Sequence, residues 1–192
     1  MIDIKPNLSQ IRRLETAISG TKRNLQREMK IAVRSTAKKG KAMVNAAVRK
    51  ELAVTKAEVD KHLKVRMQLN NQTPSAQVAL SKSARLPLKA FKPRQTKKGV
   101  SYKISKRRKR DLRKSAFMGP RPGEIAPKLH GHVFKRQGPS RLPIVKLHGA
   151  SPWGAFKKQR MRRPTRKEIR VYFGKQIERR IRAAIISKKG SV

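Results

Sequence analysis

Apolar residues recur at three- and four-residue spacing from residue 8 to about residue 50. Ile11, Leu14, Ile18, Leu25, Met29, Ala32, Thr36, Met43 and Ala47 fall along one side of a helix, with a polar step near Thr21. The opposite side carries Arg12, Arg13, Lys22, Arg23, Arg27, Lys30 and Arg34. Gly20 and Gly40 each cost a helix about 1 kcal/mol and mark bends or close approaches. One helix of this span would be about 60 Å long, too long for a small domain. The spacing therefore predicts either two helices broken near Gly40 or an arm packed on a neighbour.

Thr55-Lys56-Ala57-Glu58 has the form of a capping box opening a short helix through about Leu63. The period then changes to two. Val65, Met67 and Leu69 alternate, as do Ala76, Val78 and Leu80, with Asn70-Asn71 and Pro74 between them, which predicts a β-hairpin with a longer loop. Leu86, Leu88 and Ala90 alternate next, with Pro87 demoting them to an edge or irregular strand. A basic loop ending at Gly99 leads to Val100, Tyr102 and Ile104. Ala116-Phe117-Met118, Val133-Phe134 and Ile144-Val145-Lys146-Leu147 read as short strands. Gly119, Pro120, Pro122, Gly123, Pro127, Gly131, Gly138 and Pro139 supply the turns between them. Pro164-Thr165-Arg166-Lys167-Glu168 forms a second capping box. From it runs a helix with the stripe Ile169, Tyr172, Phe173, Ile177, Ile181, Ala184 and Ile185, with Gly190 past its end. The predicted class is α+β: a long N-terminal helical region, a small, mainly antiparallel sheet of short strands, and a C-terminal helix. One domain over 1–192 is expected, with a helical region at 1–52, a short helix plus sheet at 53–158, and the C-terminal helix at 159–192.

Charge changes this picture most. The 192 residues hold 52 Lys and Arg against 10 Asp and Glu, a net +42. Such a chain repels itself and calls for a polyanion or acidic protein neighbours. Its hydrophobic fraction is 36%, against about 45–50% in ordinary domains, so the core is small and assembly is expected to supply stability. There is no cysteine, which excludes disulfides, thiol nucleophiles and Cys-zinc sites. No secretory signal is read at Met1–Pro6, and no apolar run approaches the about 20 residues that span a bilayer, so a cytosol-like compartment is expected.

Residues 92–122 carry thirteen Lys and Arg and one acid, Asp111, with Lys106-Arg107-Arg108-Lys109-Arg110 at the centre. This block is expected to be a loop or a disordered tip, touching either DNA phosphates or the acidic surfaces of neighbouring proteins. Arg113 and Lys114 extend it. Residues 157–170 hold eight Lys and Arg and one acid, Glu168. Arg160, Arg162 and Arg163 there oppose the dipole of the helix they precede, so they answer an external anion, nucleic acid or carboxylate. Only Tyr102 is an aromatic near the first block, which argues against base stacking.

His130-Gly131-His132 reads as a turn pair or half a metal site; Glu124 is the one acid nearby, and no full ligand set is evident. Neither Ser140 nor Ser151 sits in a nucleophile elbow, no P-loop spacing occurs, and the acids are scattered, so neither an enzyme nor a cofactor is expected. Trp153 and Phe156 have two readings: a plug beneath the C-terminal helix, or anchors into a neighbouring subunit. The same pair of readings applies to Ile169, Tyr172, Phe173, Ile177 and Ile181.

Arg141-Leu142-Pro143-Ile144-Val145-Lys146-Leu147-His148-Gly149-Ala150-Ser151-Pro152 resembles the RLPI…GPS element of the minor tail protein Z family of tailed bacteriophages, with Gly-Ala-Ser-Pro where that family often has Gly-Pro-Ser. Leu86-Pro87-Leu88 before a basic hairpin, the Thr55-capped helix after a long helix, and Ala116-Phe117 are similar too. The resemblance is one of pattern and covers most of the chain. It implies a structural virion protein that completes the head-proximal end of the tail. Such a protein would form a ring with copies of itself, six-fold by expectation, around the DNA channel. It would meet tail-tube, tail-terminator and head-connector proteins and genomic DNA without sequence preference, having been assembled in the host cytoplasm. The rival reading is a non-viral nucleic-acid-binding protein, ribosomal or nucleoid-associated. A third is a cationic membrane-surface protein, which the basic amphipathic N-terminal helix favours and its lack of aromatics opposes.

Overall fold

The N-terminal stripe becomes one uninterrupted helix, α1 (Lys22–Glu51). The computed structural model describes residues 2–5, 8–9, 11–13, 22–69, 73–120 and 129–189, with backbone alone at 22–25 and 184–189. Several positions read from the sequence lie outside the described residues: Leu14, Ile18, Gly20, Thr21, Asn70, Asn71, Pro122, Gly123, Glu124, Pro127 and Gly190. So do the side chains of Lys22, Arg23, Leu25, Ala184 and Ile185. The chain is mixed α+β, with a long N-terminal helix, three three-stranded antiparallel sheets and a C-terminal helix. It divides into two compact units. Met1–Val44, Leu63–Leu80 and Gln159–Val192 form the first; Asn45–His62 and Ser81–Lys158 form the second.

In the first unit, β1 (Ile2–Ile4), β2 (Leu63–Gln68) and β3 (Ser75–Leu80) form a sheet in the order β1-β3-β2. The predicted hairpin is in register with its alternation: Leu63 faces Leu80, Val65 faces Val78 and Met67 faces Ala76. β1 is not legible as a strand; at three residues it pairs with β3 and buries only Ile2 and Ile4. From α1, Met29, Ala32, Val33, Thr36, Ala37 and Val44 are buried, and Met43 is only half-buried. The C-terminal helix, α4 (Gln159–Lys189), buries Thr165, Ile169, Phe173 and Ile177 at four-residue spacing. The Ser35 hydroxyl donates to the Ala32 carbonyl (3.0 Å) and lies 3.3 Å from Gln176 Oε1, and Arg180 pairs with Glu28 at 3.4 Å.

No break occurs at Gly40. A β-carbon there would lie 3.5 Å from Ile169 Cδ1, 3.6 Å from Val78 Cγ2 and 3.7 Å from Ile4 Cδ1, all ordinary contacts. Gly40→Ala is thus expected to stabilise the chain by about 1 kcal/mol through helix propensity, read as a higher urea midpoint; a lower midpoint would mean that the helix–sheet contact has no room for a methyl group.

α4 starts six residues before the expected capping box. Thr165 belongs to the buried stripe, so its hydroxyl donates to the Met161 carbonyl at 2.8 Å and does not cap a helix end. Pro164 sits inside the helix and withholds one backbone donor from it.

In the second unit, α2 (Lys56–Asp60) is capped by Thr55, whose hydroxyl accepts from the Glu58 N–H at 3.4 Å. Glu58 pairs with Lys61 at 2.9 Å, so one half of the expected box is seen. Asn45, buried on α1, donates to the Lys56 carbonyl (3.0 Å) and Asp60 Oδ1 (2.9 Å). The expected strand at Leu86–Ala90 is replaced by a 3-10 turn, Leu88–Phe91. Pro87 cannot donate to a ladder, and burying Leu88 and Phe91 together suits a three-residue period. Two sheets follow: β4 (Arg94–Thr96), β5 (Gly99–Tyr102) and β6 (Asp111–Lys114); then β7 (Ala116–Met118), β8 (Val133–Arg136) and β9 (Ile144–Lys146). A short helix that the apolar pattern does not announce, α3 (Pro152–Lys157), is capped by the Ser151 hydroxyl, which accepts from the Gly154 N–H at 3.4 Å. Among the described residues no helix is long and apolar enough to cross a membrane.

Candidate nucleic-acid interface

The largest basic block is built on β5. Val100 is fully buried and seats the strand, and Gly99 (φ +141°) turns the chain between β4 and β5. A side chain at Gly99 would meet the Arg113 carbonyl, so the β5–β6 pairing depends on glycine there. The register places Arg94, Ser101 and Leu112 in one row across the sheet, with Thr96, Gly99 and Lys114 in the next row on the same face. Gln95, Val100 and Arg113 lie on the other face. Arg94, Lys114 and Arg113 are all exposed, as are Lys97 and Lys98 in the β4–β5 turn.

The block is therefore not the single loop or tip the sequence predicts. Arg113 and Lys114 belong to β6, whose four exposed residues offer no apolar alternation to read. Arg110 is also fixed: its guanidinium donates to Ser101 Oγ (2.9 Å), the Ser101 carbonyl (2.9 Å) and the Lys92 carbonyl (2.6 Å). Those bonds tie Nε and Nη2 to Ser101 and Lys92. Lys106, Arg107, Arg108 and Lys109 form the exposed loop. Its stem is held where the Lys106 N–H donates to the Glu51 carbonyl (3.0 Å), the Ala53 N–H to the Ile104 carbonyl (2.8 Å), and Leu52 bridges Ser105. Four exposed cations thus stand on a fixed base, at the end of β5 opposite the β4–β5 turn. Tyr102 is half-buried on β5.

The second basic cluster is helical. Arg160, Arg162 and Arg163 lie in the opening turns of α4, which has no acid in its first turn, so the conflict with the helix dipole falls within the helix. Arg163 is exposed and Arg162 half-buried. Lys158, in the second unit, pairs with the buried Glu51 carboxylate at 2.8 Å.

Of the residues with two readings, Phe156, Ile169, Phe173 and Ile177 are buried in the single chain. Trp153, Tyr172 and Ile181 keep partial exposure. Ser140 is exposed on a turn and Ser151 is a helix cap. His130 adopts a left-handed turn (φ +48°) and His132 enters the strand side of that turn. Among the described residues no group of three or more His, Asp or Glu is placed to hold a metal ion.

Two segments distant in sequence, Leu86–Leu88 and Leu147–Ala150, lie side by side. The Leu88 N–H donates to the Leu147 carbonyl (2.9 Å), the Gly149 N–H to the Leu86 carbonyl (2.8 Å) and the Leu86 N–H to the Ala150 carbonyl (3.3 Å). Gly149 lies against the buried Phe91 ring, where a β-carbon would come within 2.5 Å of a ring carbon. Comparison of the chain with known protein families, curated proteins and solved structures finds no match.

Proposed function

We propose that this chain is a structural, non-enzymatic component of a tailed phage virion, completing the head-proximal end of the tail around the DNA channel. The observation that carries the electrostatic part is the exposed loop Lys106–Lys109 on its fixed base between β5 and β6, on a sheet whose Arg94, Arg113 and Lys114, and whose Lys97 and Lys98 in the turn at its other end, are exposed as well. Cations held this way neutralise phosphates whatever the sequence, because they meet backbone and not base edges. The tail assignment rests on the family resemblance. It is supported by the adjacency of Leu86–Leu88 and Leu147–Ala150, which belong to two of the resembling elements and form one backbone ladder.

Assembly into a ring of identical copies follows from the same reading. Each three-stranded sheet has two edge strands, so among the described residues β1, β2, β4, β6, β7 and β9 each pair with a single strand. Such seams are closed most simply by a neighbouring copy. Trp153, Tyr172 and Ile181 are the partly exposed residues this reading assigns to the subunit seam.

Changing Lys106, Arg107, Arg108 and Lys109 to Gln is expected to reduce the slope of log K against log salt for duplex DNA by about 0.9 for each phosphate that is no longer neutralised, with sedimentation of the assembly unchanged. An unchanged slope would place DNA binding on another part of the surface. Electron microscopy of intact particles tests the location: the chain should line the neck of the virion. A monomer that cosediments with RNA would favour a ribosomal or nucleoid role.

A further inference from the structure

A second cationic cluster in the second unit is unlike the exposed loop, because it converges from separate segments onto a half-buried imidazole. Lys89 comes from the 3-10 turn, His130 and His132 from the turn before β8, Lys146 from the end of β9, and His148 from the segment bridged to Pro87. The Lys89 ammonium donates to the His130 carbonyl, and Lys146 Nζ lies 3.1 Å from His132 Nε2. The Phe134 ring meets His132 edge-on, with centroids 6.5 Å apart.

The protonation state follows from these contacts. An ammonium can only donate, so His132 Nε2 accepts and the neutral ring carries its proton on Nδ1. Nδ1 is buried and has no hydrogen-bond partner among the described residues. The His132 pKa is lowered from 6.5, first by burial and then by Lys146, Lys89, His130 and His148. Burial and these neighbours all oppose a charge on the ring.

We infer that Lys89, Lys146, His132 and His148 form a discrete site for one phosphoryl-type oxyanion, supplied either by a nucleic-acid backbone or by free phosphate. The anion draws Lys146 away from His132 Nε2 and offsets the cationic field, so the ring takes up a proton as the anion binds. By linkage, a protonated His132 binds the anion more tightly. The site does not depend on the tail assignment or on the Lys106–Lys109 loop.

Sulfate is the probe, because its charge is constant between about pH 5 and 8, where an imidazole titrates. Sulfate titrated into the full-length chain, followed by calorimetry and by the His132 ring resonance, is expected to saturate at one site and to raise the pH at which that resonance titrates. Lys146→Gln, or Lys89→Gln should the first variant fold poorly, is expected to weaken sulfate binding about tenfold. His132→Gln removes the part of the pH dependence that the ring supplies, while the Lys106–Lys109 variant leaves sulfate binding unchanged. A short duplex separates the sources: parallel loss of duplex affinity in Lys146→Gln identifies a backbone phosphate, and loss confined to the inorganic anion identifies free phosphate. Equal sulfate affinity in wild type and both lysine variants, or sulfate binding with no response of the His132 resonance, overturns the site.

Discussion

Ile177→Asp is expected to unfold the first unit. Ile177 is 2% exposed, in line with the buried Ile169 and Phe173 on α4. The substitution forfeits about 1.5–3 kcal/mol of apolar burial and adds the cost of a carboxylate without water, for a total of at least about 4 kcal/mol. A domain with a total stability of about 5–15 kcal/mol has little left after that loss. Circular dichroism should show loss of the cooperative melt at a temperature where the wild type is folded. Ile181→Asp, one turn later and half-buried, should cost a fraction as much. The pair separates a core from a subunit seam: if Ile177 served only to join copies, Ile177→Asp would remain a folded monomer, and Ile177 would not belong to the core.

Phe91→Ala is expected to cost the second unit about 3–5 kcal/mol, as for a large ring removed from a fully buried site. One neighbour of the ring is the backbone of Gly149. A β-carbon at Gly149 would sit 2.5, 2.9 and 3.2 Å from three Phe91 ring carbons, so Gly149→Ala should cost about 1–3 kcal/mol through overpacking. The two effects are coupled. In a Phe91→Leu background the smaller side chain leaves room for the methyl group, so Gly149→Ala should cost less there than in the wild type. Denaturant midpoints of the four proteins give the coupling directly, and strict additivity would mean that the ring and glycine do not touch. Gly149 lies between β9 and Ser151, the cap of α3, so displacing it from the ring should loosen the Leu86–Ala150 ladder as well.

Elements with a strong apolar period are legible in the residues. The β2–β3 hairpin is legible as two alternating runs joined by a loop, whereas Leu63, read as the end of the short helix, belongs to β2 and faces Leu80. The α1 stripe and the Ile169–Phe173–Ile177 stripe are readable from their apolar period. β4 and β6 are not, since all their residues are exposed and mostly polar or charged. They are strands because Val100 seats β5 and β5 offers hydrogen bonds on both edges. Capping boxes are legible only in part. Thr55 caps a helix, but Thr165, with the same spacing to a glutamate, is drawn into a buried stripe and bonds to Met161 instead.

The candidate site shows the same division. Its charge is legible: thirteen Lys and Arg between residues 92 and 122 cannot be buried together. Which of those cations are free is not. Arg110 reads as the end of a five-residue basic run, yet its donors are held by Ser101 and Lys92, residues brought near by strand pairing. The Lys89–His132–Lys146–His148 cluster is hidden for a related reason. Its members lie up to 59 positions apart in the chain, and the β8–β9 pairing together with the bonds of Pro87–Leu88 to Leu147–His148 assembles them.

The sequence by itself determined the class of the fold, the two long helices, the central hairpin and a strongly cationic composition. These depend on local period and on net charge, which each residue carries wherever the chain places it. Tertiary structure alone decided the continuity of α1 through Gly40, the division into two units, the strand character of β4 and β6, and the sorting of cations into bound and free. Those depend on hydrogen bonds and packing between residues far apart in the chain, and no local pattern encodes such a partner.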